Sequence, residues 1–559
     1  MPETDLASQV SIKINGTEIQ RDVLAKLAGV TVDQHVYLPW MFIIRLNDPG
    51  LVLLDRGPFD LTKEIEISAA KQDGSQVTLI KGEITGIEPE FKEGMISEIV
   101  VRGYDKSHRL YRDPHTRAFL NTKDSDLAAQ IAQSAGLRAE VETTRTVYDH
   151  IFQHNQTDLD FLIERAWRIG FECFVSEGKL YFRKPPAASS PSTTLTWGDD
   201  LQTFRVRMTL AEQVDEVQVK GWDVEKKSGV VGKAENGGLY PKIGEPKKGS
   251  EWARTFGSGK KIITNLPTPN QSEADILAAA RMDEVTGAFI EAEGSAIRRP
   301  DIQAGKVIKI EALGNRLSGD YLVTSAVHTI SPAGLNTVIH VRGSRTGSLV
   351  EQLARQRPGE RFPGVVVGIV TNTDDPKNWG RVKVKFPWMA DDTESDWARV
   401  LGFGAGADKG MLLVPDVGDE VIVAFLQGDF NHPVVLGGVW NGQDSIPSEV
   451  SGAGNGEKPL VRVWRSKTGH KIVMYDNSDK KIEVKTADGL TVTLDDTSKT
   501  IKLEAPNVSV KLENNKLTIE SSSDVSIKSS ANIKLEASGN LDIQASGQVN
   551  IKGSMVNLN

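Results

Sequence analysis

From Lys471 to Asn559 the chain repeats one short pattern, and that pattern constrains the fold more than any other feature of the 559 residues. Apolar residues recur in i, i+2 pairs: Ile472/Met474, Ile482/Val484, Val492/Leu494, Ile501/Leu503, Val508/Val510 and Leu517/Ile519. The series continues as Val525/Ile527, Ile533/Leu535, Leu541/Ile543, Val549/Ile551 and Val556/Leu558. From Val525 to Val549 the pairs step by eight residues without exception, separated by small residues such as Ser529-Ser530, Ala537-Ser538-Gly539 and Gly553-Ser554. Side chains alternate along a strand, so each pair lies on one face. The pattern predicts very short strands, each with one apolar and one polar side.

Such a ribbon has no dry interior of its own. No Phe, Tyr or Trp follows Tyr475 and no proline follows Pro506, while five lysines oppose five carboxylates from Pro506 onward. Backbone ordering costs ~1–2 kcal/mol per residue, and only apolar burial at ~25 cal/mol per Å² can offset it. The apolar side must therefore meet something. A single-chain β-helix with three walls of this strand length needs about 24 residues per coil. That leaves fewer than about four coils, with no capping helix or aromatic plug. Three copies around one axis use the same strands as the walls of a prism, and this homotrimeric reading is favoured. Its seam comprises Val508, Val510, Leu517, Ile519, Val525, Ile527, Ile533, Leu535, Leu541, Ile543, Val549 and Ile551.

Upstream, the chain is expected to be mainly β. Residues 1–350 alternate in many short runs, interrupted by helices at Asp126–Ser134, at 158–169 behind a Thr157-x-x-Asp160 cap, and from Ser272 (Ser272-x-x-Asp275) to Gly287. Phe171–Val175 and Leu180–Arg183 flank Gly178 as a hairpin. Residues 351–361 are polar and basic and are read as a linker. Residues 362–445 hold about five short strands with strong turn chemistry, the pattern of a small OB-type barrel. Residues 446–470 are read as a connector, and 471–559 as the trimeric spike.

Several function classes fall away. The net charge of −9 argues against a general polyanion binder. Gly364–Gly442 has six basic and eleven acidic residues, unlike a nucleic-acid groove. Trp379, Trp388, Trp397 and Trp440 lie beside turns, where packing is the simpler role. The N-terminus lacks a basic start and an apolar core, so no signal peptide is expected. Gly257-Ser258-Gly259-Lys260 is not a phosphate loop, because Arg254 and Lys261 break the motif. His150-x-x-x-His154 lacks the intervening Glu of a zinc-protease helix, and Cys173 sits in an apolar run as a buried thiol. No catalytic residue, cofactor or metal ligand is assigned.

Several motifs resemble those of the VgrG (valine–glycine repeat) spike family, which is similar to the fused tail hub and spike of contractile phages. Asp375-Pro-Lys-Asn-Trp-Gly380-Arg381 through Trp388, and Gly410 to Gly442, resemble the family's barrel. Gly103-Tyr104-Asp105-x-x-x-Arg109-Leu-Tyr-Arg112, Gln153 to Gly170, and Ser318 to Val323 followed by His328 resemble its hub. The resemblance implies a trimeric plug and needle: the hub meets the inner tube and baseplate, the barrel forms a collar, and the rod punctures the target membrane. It implies a PAAR-type cone protein on Val556, Asn557, Leu558 and Asn559. No histidine follows His470, so the His-x-His iron site of related phage tips is not expected. Without an appended toxic domain or a lysozyme-like insertion, the expectation is an extracellular phage-tail-like particle, assembled in the cytoplasm and released. The competing readings are a fibre-displayed peptidoglycan- or carbohydrate-acting enzyme, and a monomeric β-helical adhesin.

Overall fold

A computed structural model describes residues 10–186, 191–223, 225–239, 241–341, 364–387, 393–450 and 460–558. The expected linker 351–361, Trp388 and Asn559 lie outside the described residues. The chain forms two compact units, Met1–Val439 and Trp440–Asn559.

The first unit is built on one large, mostly antiparallel sheet made from two distant stretches of sequence. Strands Leu27–His35, Met41–Asn47, Ile96–Asp105, Gln76–Lys92, Glu64–Ala70 and Val10–Ile14 follow one another in space. Gly319–Ser331 pairs with Leu27–His35, with Ala326 opposite Gln34, and adds Gly334–Val341, Ile290–Ile297 and Leu201–Met208. Gln34, fully buried, donates to the Leu79 carbonyl at 2.8 Å and accepts from the Ala304 amide at 3.2 Å. One side chain thus satisfies backbone groups from both stretches, where an apolar residue would leave buried groups unpaired.

Two modules interrupt this sheet. In the first, Pro114–Thr122 pairs with Tyr148–Thr157, and helices Asp124–Ser134 and Asp158–Arg168 pack near the hairpin Glu172–Ser176/Lys179–Arg183. The Thr157 cap is as expected, its hydroxyl accepting the Asp160 amide at 3.2 Å. Gly178 (φ +75°) turns the hairpin, and Cys173 is fully buried beneath it. In the second module, Glu216–Asp223, Ser228–Ala234 and Lys260–Ile263 form a sheet against helix Gln271–Gly287. That helix is capped by Asn270, not Ser272. The Asn270 side chain accepts the Glu273 amide at 2.9 Å and donates to the Glu273 carboxylate at 2.8 Å, a reciprocal cap in place of the expected register.

The barrel runs in the order Lys383–Lys385, Val365–Asn372, Glu420–Phe425, Pro433–Gly438, Arg399–Val400. It closes where Val382 and Ala398 exchange backbone bonds of 3.0 and 2.8 Å. Alternation supplies its core: Val366 and Val370 on one strand, Val421, Val423 and Phe425 on the next, with Val382, Val384 and Phe386. Alternation in the sequence suggests strands at Arg381–Phe386 and Ala398–Leu401; the observed Lys383–Lys385 and Arg399–Val400 are shorter, because the ladder there passes into single bridges.

The second unit is a seven-stranded antiparallel meander, Val461–Arg465 through Lys516–Ser521, in sequence order. Its turns use left-handed residues: Gly469, Lys480, Gly489, Lys499, Asn507, and the pair Asn514-Asn515. A two-residue turn with both φ positive matches the twist of a hairpin, which is why Asn-Asn closes the last one. After Asn515 no described residue has positive φ, and after Ser521 no described residue belongs to a strand ladder.

Candidate assembly interface

The ladder register places every apolar pair of the meander on one side. Ile472 lies opposite Val484, Ile482 opposite Leu494, Val492 opposite Leu503, Leu503 opposite Val510, and Leu512 opposite Leu517. Direct cross-strand partners share a face. The other side carries Lys481, Glu483, Thr493, Lys502, Glu504, Lys511 and Glu513, with ion pairs such as Lys481–Glu483 at 3.0 Å.

Exposure then runs against composition. Eleven apolar side chains of this face (Met474, Ile482, Val484, Val492, Leu494, Ile501, Leu503, Val508, Leu512, Leu517 and Ile519) are 38–59% exposed, while the lysines and glutamates behind them are mostly half-buried. Monomeric soluble proteins rarely expose an apolar patch this large. Beyond Ser521, Val525, Ile527, Ile533, Leu535, Leu541, Ile543, Val549 and Ile551 are 52–70% exposed, and their backbone has no ladder partner among the described residues. Val556 and Leu558 are exposed as well. The twelve residues expected at the seam thus fall into two settings. Val508, Val510, Leu517 and Ile519 sit on a formed sheet, and the eight from Val525 to Ile551 lie outside any strand. The apolar pairing alone does not distinguish the two. The spacers after Asn515 are richer in Ser and Ala, and none of the described ones has a residue at positive φ.

The barrel's Asp-Pro-Lys-Asn-Trp-Gly-Arg motif is a buried polar knot. Asp375 accepts the amides of Trp379 at 2.8 Å, Lys377 at 3.0 Å and Arg381 at 3.2 Å, and pairs with the Arg381 guanidinium at 2.6 Å. Arg381 holds its carboxyl well below the usual carboxylate range. Asn378 (φ +52°) and Gly380 (φ +70°) make the tight turn that brings these donors together. Arg381 and Lys377 each lie 5.0 Å from the Trp379 ring, so this tryptophan is faced by its own chain's cations. In the hub motif, Asp105 is completely enclosed: Oδ1 accepts the Ser107 amide at 2.8 Å and Oδ2 the Trp40 amide at 3.1 Å. Burial outweighs these bonds and pushes the carboxyl up to about 7. Glu83 gathers the end of the same motif, accepting from Arg109 Nε at 2.9 Å and lying 2.9 Å from His108 Nε2.

The enzyme-like signals separate in space. Gly257 (φ +105°) ends a short helical turn, and Lys260 begins a strand and pairs with Glu216 at 2.7 Å. Burial raises the Cys173 thiol far above its ordinary value. His150 and His154 lie on strand Tyr148–Thr157 rather than on a helix. Among the described residues no group of three or more His, Cys, Asp or Glu side chains could hold a metal ion, and no helix is long and apolar enough to cross a membrane.

The first unit is a β-rich body with a small barrel, and the second unit leaves one apolar face exposed. Two family models match the chain: the Alg8 N-terminal domain over residues 5–332, and the type VI secretion system/phage-baseplate injector OB domain over residues 366–440. The chain belongs to the Alg8 N-terminal domain family, more than half of its length matching. It is 34% identical over 107 residues to the type VI secretion system spike protein VgrG1a of Pseudomonas aeruginosa, covering 18% of this chain and 17% of that one. It is 40% identical over 74 residues to the spike protein VgrG3 of Vibrio cholerae, covering 12% and 7%. The aligned stretches thus span less than a fifth of either relative's own length. Among solved structures, a chain of the half-lidded Francisella PdpA–VgrG complex shares the fold at TM-score 0.51 and 9% identity, over 92% of this chain and 88% of that one.

Proposed function

We propose that the chain is the structural spike and hub at the tip of a contractile injection apparatus, working as a homotrimer. The observation that carries this is the bare apolar face of the meander continuing into octads with no ladder of their own. Three copies would supply one another's missing walls, first meander against meander, then octad strand against octad strand. The rod so formed has interior side chains of nearly uniform size and transmits force along its axis. Its action on a target membrane is puncture, by concentrated force rather than by chemistry, and no enzymatic step is assigned. That the curated relatives are spike proteins supports the reading.

The partners follow from the same reading. The hub sheet of the first unit would meet the inner tube and baseplate proteins. The end of the rod, at Val556, Asn557, Leu558 and Asn559, would carry a PAAR-type tip protein. The chain would be assembled in the cytoplasm and leave as part of a phage-tail-like particle. Mass measured without denaturant tests the assembly: a particle of three times 61.0 kDa is expected, and a stable 61.0 kDa species overturns it. Release of fragments from purified peptidoglycan would contradict the non-enzymatic reading.

A further inference from the structure

The barrel is fastened to the hub by alternate residues of one strand. On Tyr148–Thr157, His150, Phe152 and His154 point the same way. Phe152 completes the barrel core, stacks on Phe430 at 5.9 Å, and donates its amide to Asn431 Oδ1 at 2.7 Å. His154 packs on Phe430 with ring centroids 3.8 Å apart. His150 stacks on Phe152 at 6.0 Å, and its Nε2 lies 3.0 Å from the carbonyl oxygen of Glu394.

That bond settles the tautomer. A carbonyl oxygen only accepts, so Nε2 carries the proton and Nδ1 carries the lone pair. Nδ1 of His150 is shut off from solvent and has no hydrogen-bond partner among the described residues. A second proton there would be a buried donor with no acceptor, in an aromatic seam.

We propose that this junction is an acid-sensitive clasp: protonation of His150 loosens the barrel from the hub. The charges around the ring do not rescue the protonated form. Asp396 favours it, but Lys383 and His432 oppose it, and the Glu394 carboxylate is turned toward Lys383 at 3.5 Å. On the loop side Asp429 is bound to Asn431, its Oδ1 accepting the Asn431 amide at 3.0 Å. Behind His154, the groups facing the cleft are Glu164, Arg165 and Arg168. Burial is the largest influence on the imidazole and holds it below the ordinary histidine value. The docked form therefore binds its proton less readily than the released form. Docking keeps its full strength above pH ~6.5 and weakens as pH falls through the window below. The clasp needs only the junction within the first unit, so it stands or falls apart from the trimer.

Hydrogen–deuterium exchange on the whole chain tests it, at pH values of about 7.5 and 5.5 with intrinsic rates corrected. Peptides covering residues 148–157 and 426–433 should exchange severalfold faster at the lower pH, while the hub strand Met41–Asn47 stays unchanged. His150→Gln keeps a donor for the Glu394 carbonyl and cannot titrate, so its exchange should not depend on pH. His154→Gln should keep the wild-type response. A wild-type junction indifferent to pH, a His150→Gln variant that responds as the wild type does, or a His154→Gln variant that does not respond would each overturn the clasp. Should His150→Gln fail to fold, imidazole C2 exchange in the wild-type chain decides the question instead. His150 must titrate below the ordinary value, and titration at or above it refutes the proposal.

Discussion

Leu503 sits in the middle of the bare face, between Val492 on one neighbouring strand and Val510 on the other. It is 45% exposed in the single chain, so a seam can still bury about half of it. Half of a leucine's full burial is worth about 1 kcal/mol. Leu503→Asp forfeits that and adds a carboxylate with no cationic partner on the apolar face. At neutral pH the cheapest escape is to take up a proton, and holding an aspartate neutral at pH 7 against a normal value near 3.9 costs about 4 kcal/mol. The sum is about 5 kcal/mol per chain, or about 15 kcal/mol for three copies. By the same measure, the eleven exposed apolar side chains of the face gain about 10 kcal/mol per chain on assembly. The substitution therefore removes about half of the driving force and should leave monomers at micromolar concentration. Lys502→Gln, one residue away on the charged face, should leave assembly unchanged, since exposed ion pairs such as Lys502–Glu504 are worth about 0–1 kcal/mol. Sedimentation velocity and detergent resistance of the two variants, beside the wild type, decide the matter. A Leu503→Asp protein that still sediments as a trimer, or a Lys502→Gln protein that does not, refutes the assignment of faces.

Asp375→Ala should unlatch the barrel turn, leaving three backbone amides and the Arg381 guanidinium without their acceptor at a cost of ~3–5 kcal/mol. Limited proteolysis should then cut within 373–381 while the hub stays intact, and wild-type resistance there would refute it. Asp105 makes hub stability fall as pH rises from about 4 to about 7, because its native carboxyl holds a proton that the unfolded chain has already lost. Asp105→Asn keeps an acceptor for Ser107 but sets an amide against the Trp40 amide, costing ~1–3 kcal/mol. Unfolding temperatures at a fixed scan rate should show the gap between variant and wild type narrowing as pH rises across that window, and a gap that widens would overturn the assignment.

Local chemistry was legible and long-range chemistry was not. The Thr157 cap and the Gly178 hairpin are each specified by residues within a few positions of one another, and each lies where the sequence places it. The Asn270 cap shows the limit even there, since Asn270/Glu273 and Ser272/Asp275 offer the same spacing and only packing chooses between them. In sequence the junction at His150 shows only a metal-type spacing without its glutamate, because its partner Glu394 is 244 residues away and nothing near His150 announces it. Gln34 was invisible for the same reason, its two acceptor and donor contacts coming from Leu79 and Ala304. The apolar face was legible as a surface, because alternation alone places side chains on faces. What alternation does not specify is which chain supplies the neighbouring strand.

That last distinction follows from turn chemistry, and it orders the assembly. A strand returns beside itself only through residues that tolerate positive φ, and the meander has them at each reversal, down to Asn514-Asn515. Its ladder can therefore form within one chain, with each hydrogen bond closing a short loop at small entropic cost. From Ser522 onward the spacers are rich in Ser and Ala, and glycines that remain among them, such as Gly539 and Gly547, are not in the left-handed region. Among the described residues this stretch forms no ladder with the rest of the chain. Ordering about 37 residues in that state costs on the order of 50 kcal/mol, with no ladder bond to offset it until other copies lie alongside. Under the proposed trimer, then, the meanders must associate first and set the register in which the octads wind. The eight-residue step would tolerate a slip of one whole repeat, and the irregular strand spacing before Val525 is what would forbid it. A self-similar needle would thus owe its single register to the part of the chain that is not self-similar.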